Sequence, residues 1–316
     1  MKKETVLITG GSGFLGRNLA IKLKDKYNVI LGARNNGNNQ LAQVKTGCRV
    51  APLDITNSQS INDVLNEYRP DMIIHAAATK FVDISEEYPM ECIDVNILGS
   101  QLLARIAMEK GIKKIVGVST DKAAPPVGNI YGHSKAVMER MFCALDAKSQ
   151  TRFVCTRFGN ISWSTGSVFP IWKRMTEQEG MIGSTGPHMR RFFFSVEEAS
   201  DLVIEAMENI ETLHGGILSL QMKSAQVRDF LDVWSEYYKV PWKQIDGRPG
   251  DKLDEVLIGR IEIPHTKELE MNGKNYFYIN YRKKFENDLK DEVSSLNAAR
   301  LSKQELQHII VNQPKV

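Results

Sequence analysis

Short apolar segments alternate with helix-forming segments through the first half of this 316-residue chain, and the alternation constrains the fold more than any other feature. It predicts strands at 6–8, 29–31, 50–53, 72–74, 115–118 and 153–155, and helices at 13–24, 61–68, 87–110 and 136–145. Strands that are apolar along their whole length are typical of a parallel sheet with helices on both faces. Because crossovers between parallel strands are right-handed, the sequence predicts an α/β fold with a doubly wound, Rossmann-type parallel sheet.

The pattern weakens after about residue 160. Glycine, serine, threonine and proline cluster between residues 159 and 187 and predict loops there. Later segments predict helices at 196–210, 227–238 and 301–311 and strands at 217–220 and 276–279. Ser302 followed by Glu305 matches a capping box at the start of the last helix. We predict a Rossmann domain over residues 1–166 and a smaller part over residues 167–316, some segments of which return to the Rossmann domain.

Composition excludes several classes of protein. Lysine and arginine number 41 against 38 aspartate and glutamate residues, so a net charge of +3 favours neither nucleic acid nor a membrane surface as a partner. The four cysteines include no close pair, so neither a metal site nor a disulfide framework is predicted. No segment approaches the ~20 apolar residues that span a bilayer, and the first apolar run is too short for a signal peptide. We expect a cytoplasmic protein with reduced thiols.

A glycine-rich loop lies between the first predicted strand and the first predicted helix. Its sequence, Thr-Gly-Gly-Ser-Gly-Phe-Leu-Gly at residues 9–16, places glycines three residues apart. Glycine lets backbone N–H groups approach a pyrophosphate closely, and the positive end of the following helix then faces that anion. In this context the loop predicts a dinucleotide site. We expect the cofactor to contact Gly10, Ser12, Gly13, Phe14, Leu15 and Gly16.

The end of the second strand bears on which dinucleotide is bound. An NAD site usually carries an acidic residue there, and this chain carries Arg34 instead. A guanidinium can pair with a 2′-phosphate, so we predict NADP as the cofactor, with NAD as the alternative. Asp54 follows the third strand and is placed to contact the adenine, although it can equally cap the helix that follows.

Two further motifs carry groups suited to moving protons. Tyr131 and Lys135 lie one helical turn apart and so share a helix face. A tyrosine can accept a proton when a nearby cation lowers its pKa from about 10. Asp121 and Lys122 follow the fifth strand, where burial is expected to favour the neutral form of both. An ordinary helix start and a salt-bridged turn are the alternatives for these two motifs.

Taken together, the motifs resemble those of extended short-chain dehydrogenase/reductases, and more narrowly those of soluble UDP-N-acetylglucosamine 4,6-dehydratases of polysaccharide synthesis. The glycine loop and Tyr-x-x-x-Lys are shared widely, whereas Ser-Thr-Asp-Lys at 119–122 and Arg-Pro-Gly-Asp-Lys-Leu at 248–253 are more specific. The resemblance covers nearly the whole chain. It also includes His-Ala-Ala-Ala-Thr-Lys at 75–80, Asn-Ile-Leu-Gly at 96–99, Arg-Phe-Gly-Asn at 157–160 and Met-Arg-Arg-Phe-Phe at 189–193.

The resemblance implies a catalytic role for five residues. Tyr131 would take the proton of the sugar 4-hydroxyl while NADP takes the hydride from carbon 4. Lys135 would hold the nicotinamide ribose and lower the pKa of Tyr131. Lys122 would remove the proton from carbon 5, Asp121 would protonate the departing 6-hydroxyl, and Thr120 would bind the sugar near O4. The product would be a 4-keto-6-deoxy sugar, with or without inversion at carbon 5.

The resemblance also implies binding residues and a homo-oligomer. In this interpretation residues 1–166 bind NADP and residues 167–316 mainly bind a nucleotide sugar, most readily a UDP-sugar. Further cofactor contacts would be Ile55, Ala76, Ala77 and Ala78, and substrate contacts would be Lys80, Arg157, Asn160, Arg191, Arg248 and Asp251.

Two departures from the family pattern leave alternatives open. The interval between Lys122 and Tyr131 is one residue longer than usual, and Asp251 stands where the family has glutamate, which leaves the nucleotide base undecided. A nucleotide-sugar epimerase, a ketoreductase, and a catalytically idle NADP-binding protein remain alternatives on the same fold.

Overall fold

The computed structural model describes residues 3–247 and 252–314, and a sheet of nine strands forms its centre. The strands are β1 (Thr5–Thr9), β2 (Asn28–Ala33), β3 (Arg49–Pro52), β4 (Met72–His75), β5 (Lys114–Val118), β6 (Arg152–Arg157), β7 (Asn160–Ile161), β8 (Ile182–Ser184), β9 (Arg190–Phe194), β10 (Ile217–Leu220), β11 (Ser224–Gln226), β12 (Trp242–Gln244), β13 (Val256–Ile258), β14 (Thr266–Met271), β15 (Lys274–Ile279) and β16 (Val293–Ser294).

Helices cover the sheet and build the smaller part of the molecule. They are α1 (Phe14–Leu23), α2 (Asn36–Thr46), α3 (Ser58–Tyr68), α4 (Val82–Glu87), α5 (Pro89–Ile93), α6 (Ser100–Glu109), α7 (Ile130–Asp146), α8 (Val168–Glu179), α9 (Val196–Glu208), α10 (Ile210–Leu213), α11 (Val227–Tyr238) and α12 (Lys303–Val311). A π-helical segment spans Asp94–Gly99, and 3₁₀ turns span Asp121–Ala123 and Arg260–His265. Within the described ranges no helix is long and apolar enough to cross a lipid bilayer.

The strand order of the main sheet is β14-β15-β10-β6-β5-β4-β1-β2-β3. The strands from β10 to β3 pair in parallel, and β15 and β14 then add to the β10 edge in antiparallel orientation. The chain runs from β1 outward to β3 and then returns to place β4 on the other side of β1. This reversal opens a crevice at the carboxyl ends of β1 and β4, where open α/β sheets bind ligands. The predicted α/β fold with a doubly wound parallel sheet is therefore confirmed.

Most predicted elements are present, and the differences have physical causes. The segment between 159 and 187, predicted as loop, contains α8, whose Phe169 and Trp172 are buried. Pro170 lies in the first turn of that helix, where a missing N–H does no harm. The helix predicted at 87–110 is continuous from Pro89 to Glu109, with the π-helical segment between α5 and α6. Ser302 and Glu305 do form the predicted capping box at the start of α12.

Two hydrophobic cores organise the molecule. The larger one lies on both faces of the main sheet. The smaller one is rich in aromatic side chains and includes Trp163, Phe169, Trp172, Phe193, Phe230 and Trp234. Residues beyond 166 contribute to both cores, since β10, β14 and β15 belong to the main sheet. The domain boundary at residue 166 stays a prediction.

Arg157, at the end of β6, is completely buried and serves the fold rather than the substrate. Its guanidinium donates to both carboxylate oxygens of Glu139 and of Glu262, and to the carbonyl oxygen of Leu257, at 2.6–3.0 Å. All five of its N–H donors therefore have acceptors within the protein. This corrects the expectation that Arg157 binds substrate. The error arose because the two acids lie 18 and 105 residues away along the chain.

We predict that Arg157→Ala lowers the free energy of unfolding by about 3–5 kcal/mol, because it leaves two carboxylates buried without their cation. Denaturant titration followed by circular dichroism measures the effect. Arg260→Ala is the matched control, since Arg260 pairs with Asp291 at the exposed surface and its loss should cost at most about 1 kcal/mol. Equal losses in the two variants would contradict the structural role of Arg157.

Candidate active site

The glycine loop at residues 9–16 forms a tightly packed backbone cradle, in which the glycines have no room for side chains. Gly10 has φ +68°, and a Cβ there would lie 2.9 Å from the backbone of Ala77. A Cβ on Gly16 would lie 2.7 Å from the carbonyl oxygen of Gly10. Gly13 is the N-cap of α1 and supplies no side-chain cap, so the N–H groups of the first turn face the cradle without a capping partner from that residue. This arrangement fits a dinucleotide pyrophosphate.

The predicted cofactor residues surround the cradle at the carboxyl ends of the strands. Ser12, Phe14 and Leu15 are partly exposed along the loop and the first turn of α1. The segment from Ala76 to Ala78 follows β4, and Ala77 donates its N–H to the Thr9 hydroxyl at 3.2 Å. The structure thus brings together the two segments that sequence analysis selected separately.

Arg34 and Asp54 lie at the far end of the predicted cofactor site. Arg34 is exposed just beyond β2. Burial raises the pKa of the Asp54 carboxyl, but hydrogen bonds from Thr56 and the positive charge of Arg34 outweigh it, so the pKa is lowered. Asp54 does not cap the following helix, because Asn57 does. Ile55 is buried against Gly99.

A buried hydrogen-bond chain ties the cradle to the π-helical segment. Nδ1 of His75 lies 2.8 Å from the Thr9 hydroxyl, and Nε2 lies 2.9 Å from the Ser100 hydroxyl. Since Ser100 donates to the carbonyl oxygen of Asn96, it accepts from Nε2–H, and Thr9 donates to Nδ1. Burial, reinforced by the charge of Lys135, lowers the pKa of His75 to about 3, so the ring stays neutral. His75 therefore has a structural role.

Asn96 fastens the segment after β4 to helix α7. Its side chain accepts from the N–H of Thr79, and donates to the Thr79 carbonyl and to the Ser134 hydroxyl at 3.0 and 2.9 Å. Ser134 in turn donates to the carbonyl oxygen of Tyr131 at 2.7 Å. The π-helical segment thereby fixes Tyr131 and Lys135 relative to the cradle.

The acid and the amine predicted to be catalytic form a close pair in the 3₁₀ turn after β5. Nζ of Lys122 lies 3.1 Å from Oδ1 of Asp121 and 3.2 Å from Oδ1 of Asn160. Thr120 donates to the same oxygen of Asp121 at 3.0 Å. The second oxygen of Asp121 is buried and has no hydrogen-bond partner among the described residues. An unpaired buried carboxyl oxygen is costly, and proteins retain such groups mainly where they have a function.

The pKa shifts of Asp121 and Lys122 agree only in part with the expectation that burial favours the neutral form of both. Burial raises the pKa of Asp121 against the lowering effect of Lys122, as an acid requires. Burial would lower the pKa of Lys122, but the carboxylates of Asp121 and Glu255 outweigh it and raise the pKa. The expectation that burial leaves the pKa of Lys122 lowered is therefore wrong.

Tyr131 and Lys135 lie deep in the same site. Burial raises the pKa of Tyr131 to about 12, and the cation that opposes this rise is Lys122. Lys135 was expected to be the cation that lowers the pKa of Tyr131. Its ammonium instead donates to the carbonyl oxygen of Val118 at 2.8 Å, and burial lowers its pKa to about 8.

The predicted substrate residues have different surroundings. Lys80 donates to the carbonyl oxygen of Thr165 at 2.6 Å, while Asn160 contacts Lys122. Arg191 is buried and lies toward Lys122, whereas the neighbouring Arg190 pairs with Asp254. Arg248 and Asp251 lie outside the described residues.

Glu255 is the residue of the site that sequence analysis missed. Its carboxylate lies 3.4 Å from Nζ of Lys122 and 3.7 Å from Nε of Arg191. It lies two residues beyond Arg-Pro-Gly-Asp-Lys-Leu at 248–253, the stretch that carries the resemblance. No local pattern, however, places residue 255 beside residue 122.

The similarity of this chain to known proteins extends along nearly its whole length. The family model described as "Polysaccharide biosynthesis protein" matches residues 6–276. A UDP-N-acetylglucosamine 4,6-dehydratase (inverting) of Campylobacter jejuni is 34% identical, over 94% of this chain and 88% of that protein. A UDP-glucose 4-epimerase of Rickettsia bellii is 30% identical, over 98% and 96%. The X-ray structure of Pen from Bacillus thuringiensis matches with a TM-score of 0.90 at 29% identity, over 99% and 98% of the two chains.

We predict that Gly10→Ala weakens dinucleotide binding at least tenfold, because the added methyl group collides with the Ala77 backbone and forces the cradle open. Fluorescence titration with the reduced dinucleotide measures the affinity. Gly47→Ala is the control, since Gly47 also has a positive φ (+72°) but a Cβ added there would have no neighbour within 4 Å. That variant should lose about 1 kcal/mol of stability and keep its affinity. Unchanged binding by Gly10→Ala would rule out the cradle as the cofactor site.

Proposed function

Because the chain belongs to the polysaccharide biosynthesis protein family, we propose that it is a nucleotide-sugar 4,6-dehydratase. The reaction is the conversion of UDP-N-acetylglucosamine to a UDP-4-keto-6-deoxy sugar with NADP as cofactor, for synthesis of a surface polysaccharide or glycan. The family predicted from the motifs is confirmed. Relatives named as dehydratase and epimerase support action on a nucleotide sugar, and the relative named UDP-N-acetylglucosamine 4,6-dehydratase supports the substrate proposed.

One observation carries the choice of reaction. A buried carboxyl group, one oxygen of which has no hydrogen-bond partner among the described residues, lies 3.1 Å from a partly buried ammonium at the carboxyl end of β5, with a partly buried phenol in the same site. Loss of water from a sugar needs an acid for the departing hydroxyl and a base for the proton on the neighbouring carbon. A simple reductase needs neither. Asp121 and Lys122 supply this pair, and Tyr131 supplies the group that handles the 4-hydroxyl.

The cofactor would be held by the glycine cradle and the segment after β4. Gly10, Gly13 and Gly16 let the backbone of the loop pack tightly, so its N–H groups would bind the pyrophosphate. The exposed Arg34 would pair with a 2′-phosphate. Lys135 would bind the nicotinamide ribose. When bound, the cofactor supplies a reversible hydride acceptor.

The proton steps can be assigned to residues of this chain. Tyr131 receives the proton of the 4-hydroxyl, for which its pKa must fall from about 12 when the site is filled. Lys122 receives the proton of carbon 5, which the 4-keto group has made acidic. Asp121 donates a proton to the 6-hydroxyl, which leaves as water. Thr120 orients Asp121 through their hydrogen bond.

An epimerase is the second candidate. It is favoured by the Rickettsia bellii relative, which is named UDP-glucose 4-epimerase and matches 98% of this chain. An epimerase retains all the oxygen atoms of the sugar, whereas a dehydratase loses one as water. The mass of the product therefore distinguishes the two.

The reaction class is tested by incubating the purified protein with UDP-N-acetylglucosamine in heavy water. We expect a product that has lost one water and carries deuterium at carbon 5, with no net change in nicotinamide absorbance. A product of unchanged mass with inverted carbon 4 would establish the epimerase instead. With NADP⁺ supplied, stoichiometric formation of reduced cofactor together with a sugar two hydrogens lighter would establish a ketoreductase, because this substrate offers a hydroxyl to oxidise and no ketone to reduce.

Two variants separate the steps of the same reaction. Tyr131→Phe should reduce turnover by about 10²–10⁴-fold, because proton removal from the 4-hydroxyl fails. Lys122→Ala should still form the reduced cofactor in a single turnover but should not release dehydrated sugar. Dehydration by the Lys122 variant at the parent rate would refute its role as the base.

The preference for NADP is tested at Arg34. Arg34→Ala should weaken NADP binding by about tenfold or more, as expected for loss of one charge-assisted hydrogen bond, and leave NAD binding unchanged. Isothermal titration with each dinucleotide gives both affinities. Tighter binding of NAD than of NADP by the parent protein would overturn the assignment.

A further inference from the structure

The fold fixes Glu255 in one place beside the candidate active site. The residue is 4% exposed, and Ser295 holds its backbone from both sides. The N–H of Glu255 donates to the Ser295 hydroxyl at 3.0 Å, and its carbonyl oxygen accepts from the Ser295 N–H at 2.8 Å. The position of the carboxylate is therefore set by the pairing of the segment around β13 with that around β16.

Lys122 lies between two carboxylates that come from distant parts of the chain. Its Nζ is 3.1 Å from Asp121 Oδ1 and 3.4 Å from Glu255 Oε1. Arg191, on β9, lies 3.7 Å from the same oxygen of Glu255. The charges that face Lys122 are thus Asp121, Glu255 and Arg191, with the phenol of Tyr131 nearby on α7. Two carboxylates and two cations make a cluster with no net charge.

We propose that Glu255 is a positioning residue of this site, which holds the Lys122 ammonium in place and controls how readily it releases its proton. The part that Glu255 plays in catalysis rests on the dehydratase function proposed above. Its effect on Lys122 in the ligand-free protein is independent of that function.

The proposal explains how a charged lysine can serve as a base. The reactive arrangement, a neutral Lys122 with a protonated Asp121, differs from the ion pair by one proton moved across the 3.1 Å contact between them. That move breaks an N–H bond on Lys122, forms an O–H bond on Asp121 and needs no other reactant. The negative charge of Glu255 acts on both partners: it stabilises the ammonium, which opposes the move, and it raises the pKa of Asp121, which favours it. Because Glu255 contacts Lys122 directly at 3.4 Å, the opposing effect is the larger, and Arg191 weakens it. Glu255 thereby determines which arrangement the resting protein adopts.

The test measures the reactivity of Lys122 without any substrate. The protein is treated briefly with acetic anhydride at a fixed mildly alkaline pH, and acetylation of Lys122 is quantified by peptide mass spectrometry. Only the neutral amine reacts. Glu255→Gln keeps the shape of the side chain and removes its charge, so Lys122 should react about tenfold faster, as for loss of one close opposite charge. Glu255→Asp, which keeps the charge, should stay near the parent rate.

Glu236→Gln is the matched control, because it makes the same change at a carboxylate that pairs with Lys303 at the exposed surface. It should leave the rate unchanged. If Glu255→Gln did not fold, Arg191→Gln would give a second measurement of opposite sign, since removal of that cation should slow the reaction of Lys122. A parent-like rate in Glu255→Gln, an equal increase in Glu236→Gln, or a faster reaction in Arg191→Gln would overturn the proposal.

This outcome is independent of the reaction class. A protein that dehydrates no nucleotide sugar, yet whose Lys122 responds to Glu255 as described, would contradict the proposed function alone. If the protein is a dehydratase but the acetylation rate of Lys122 does not change with the charge of Glu255, only the positioning role would be contradicted.

Discussion

The parallel pairing of β1 with β4 is the constraint on which the rest of the site depends. It brings the loop after β1 against the segment after β4 so closely that a single Cβ on Gly10 would lie 2.9 Å from the Ala77 backbone. The chain reverses direction across the sheet at this pairing, so the crevice between the two loops opens where both strands end. The neutral ring of His75 then joins the cradle to the π-helical segment through Thr9 and Ser100. A cofactor placed there is presented to residues that β5 and α7 supply.

Arg157 and Lys122 each lie between two carboxylates, and these two charge clusters are the second feature that organises the structure. Arg157 satisfies two buried carboxylates and fastens the segment around residue 262 to α7 and β6. Lys122 lies between two carboxylates and brings the segment around residue 255 to the end of β5. In both cases a cation on the Rossmann sheet meets an acid from the last quarter of the chain. In the first cluster every N–H donor of Arg157 has an acceptor in the protein, whereas in the second one oxygen of Asp121 has no hydrogen-bond partner among the described residues.

The parts of the fold that could be predicted are those with a local cause. Periodicity placed the parallel strands, and the capping pair Ser302 and Glu305 placed the start of α12. Helix α8 was missed because the glycine, serine and proline residues around it dominate the composition of that region. Helix α2 is mostly polar and gave no apolar period, although Asn35 caps it. The charged strand β14 gave no strand signal, because it lies at the sheet edge and buries little of itself.

For the site, the sequence alone determined which chemical groups are available and roughly where each follows a strand. The glycine spacing, the Asp121–Lys122 pair and the Tyr131–Lys135 pair were all visible, since each lies within one short segment. Tertiary structure decided which of these groups face one another and what charge they carry. It buried Arg157 between two acids, turned Arg191 rather than Arg190 toward Lys122, and added Glu255 to the site. The reason is physical: a pKa depends on burial and on charges a few ångströms away, and both are set by contacts between residues distant in the chain.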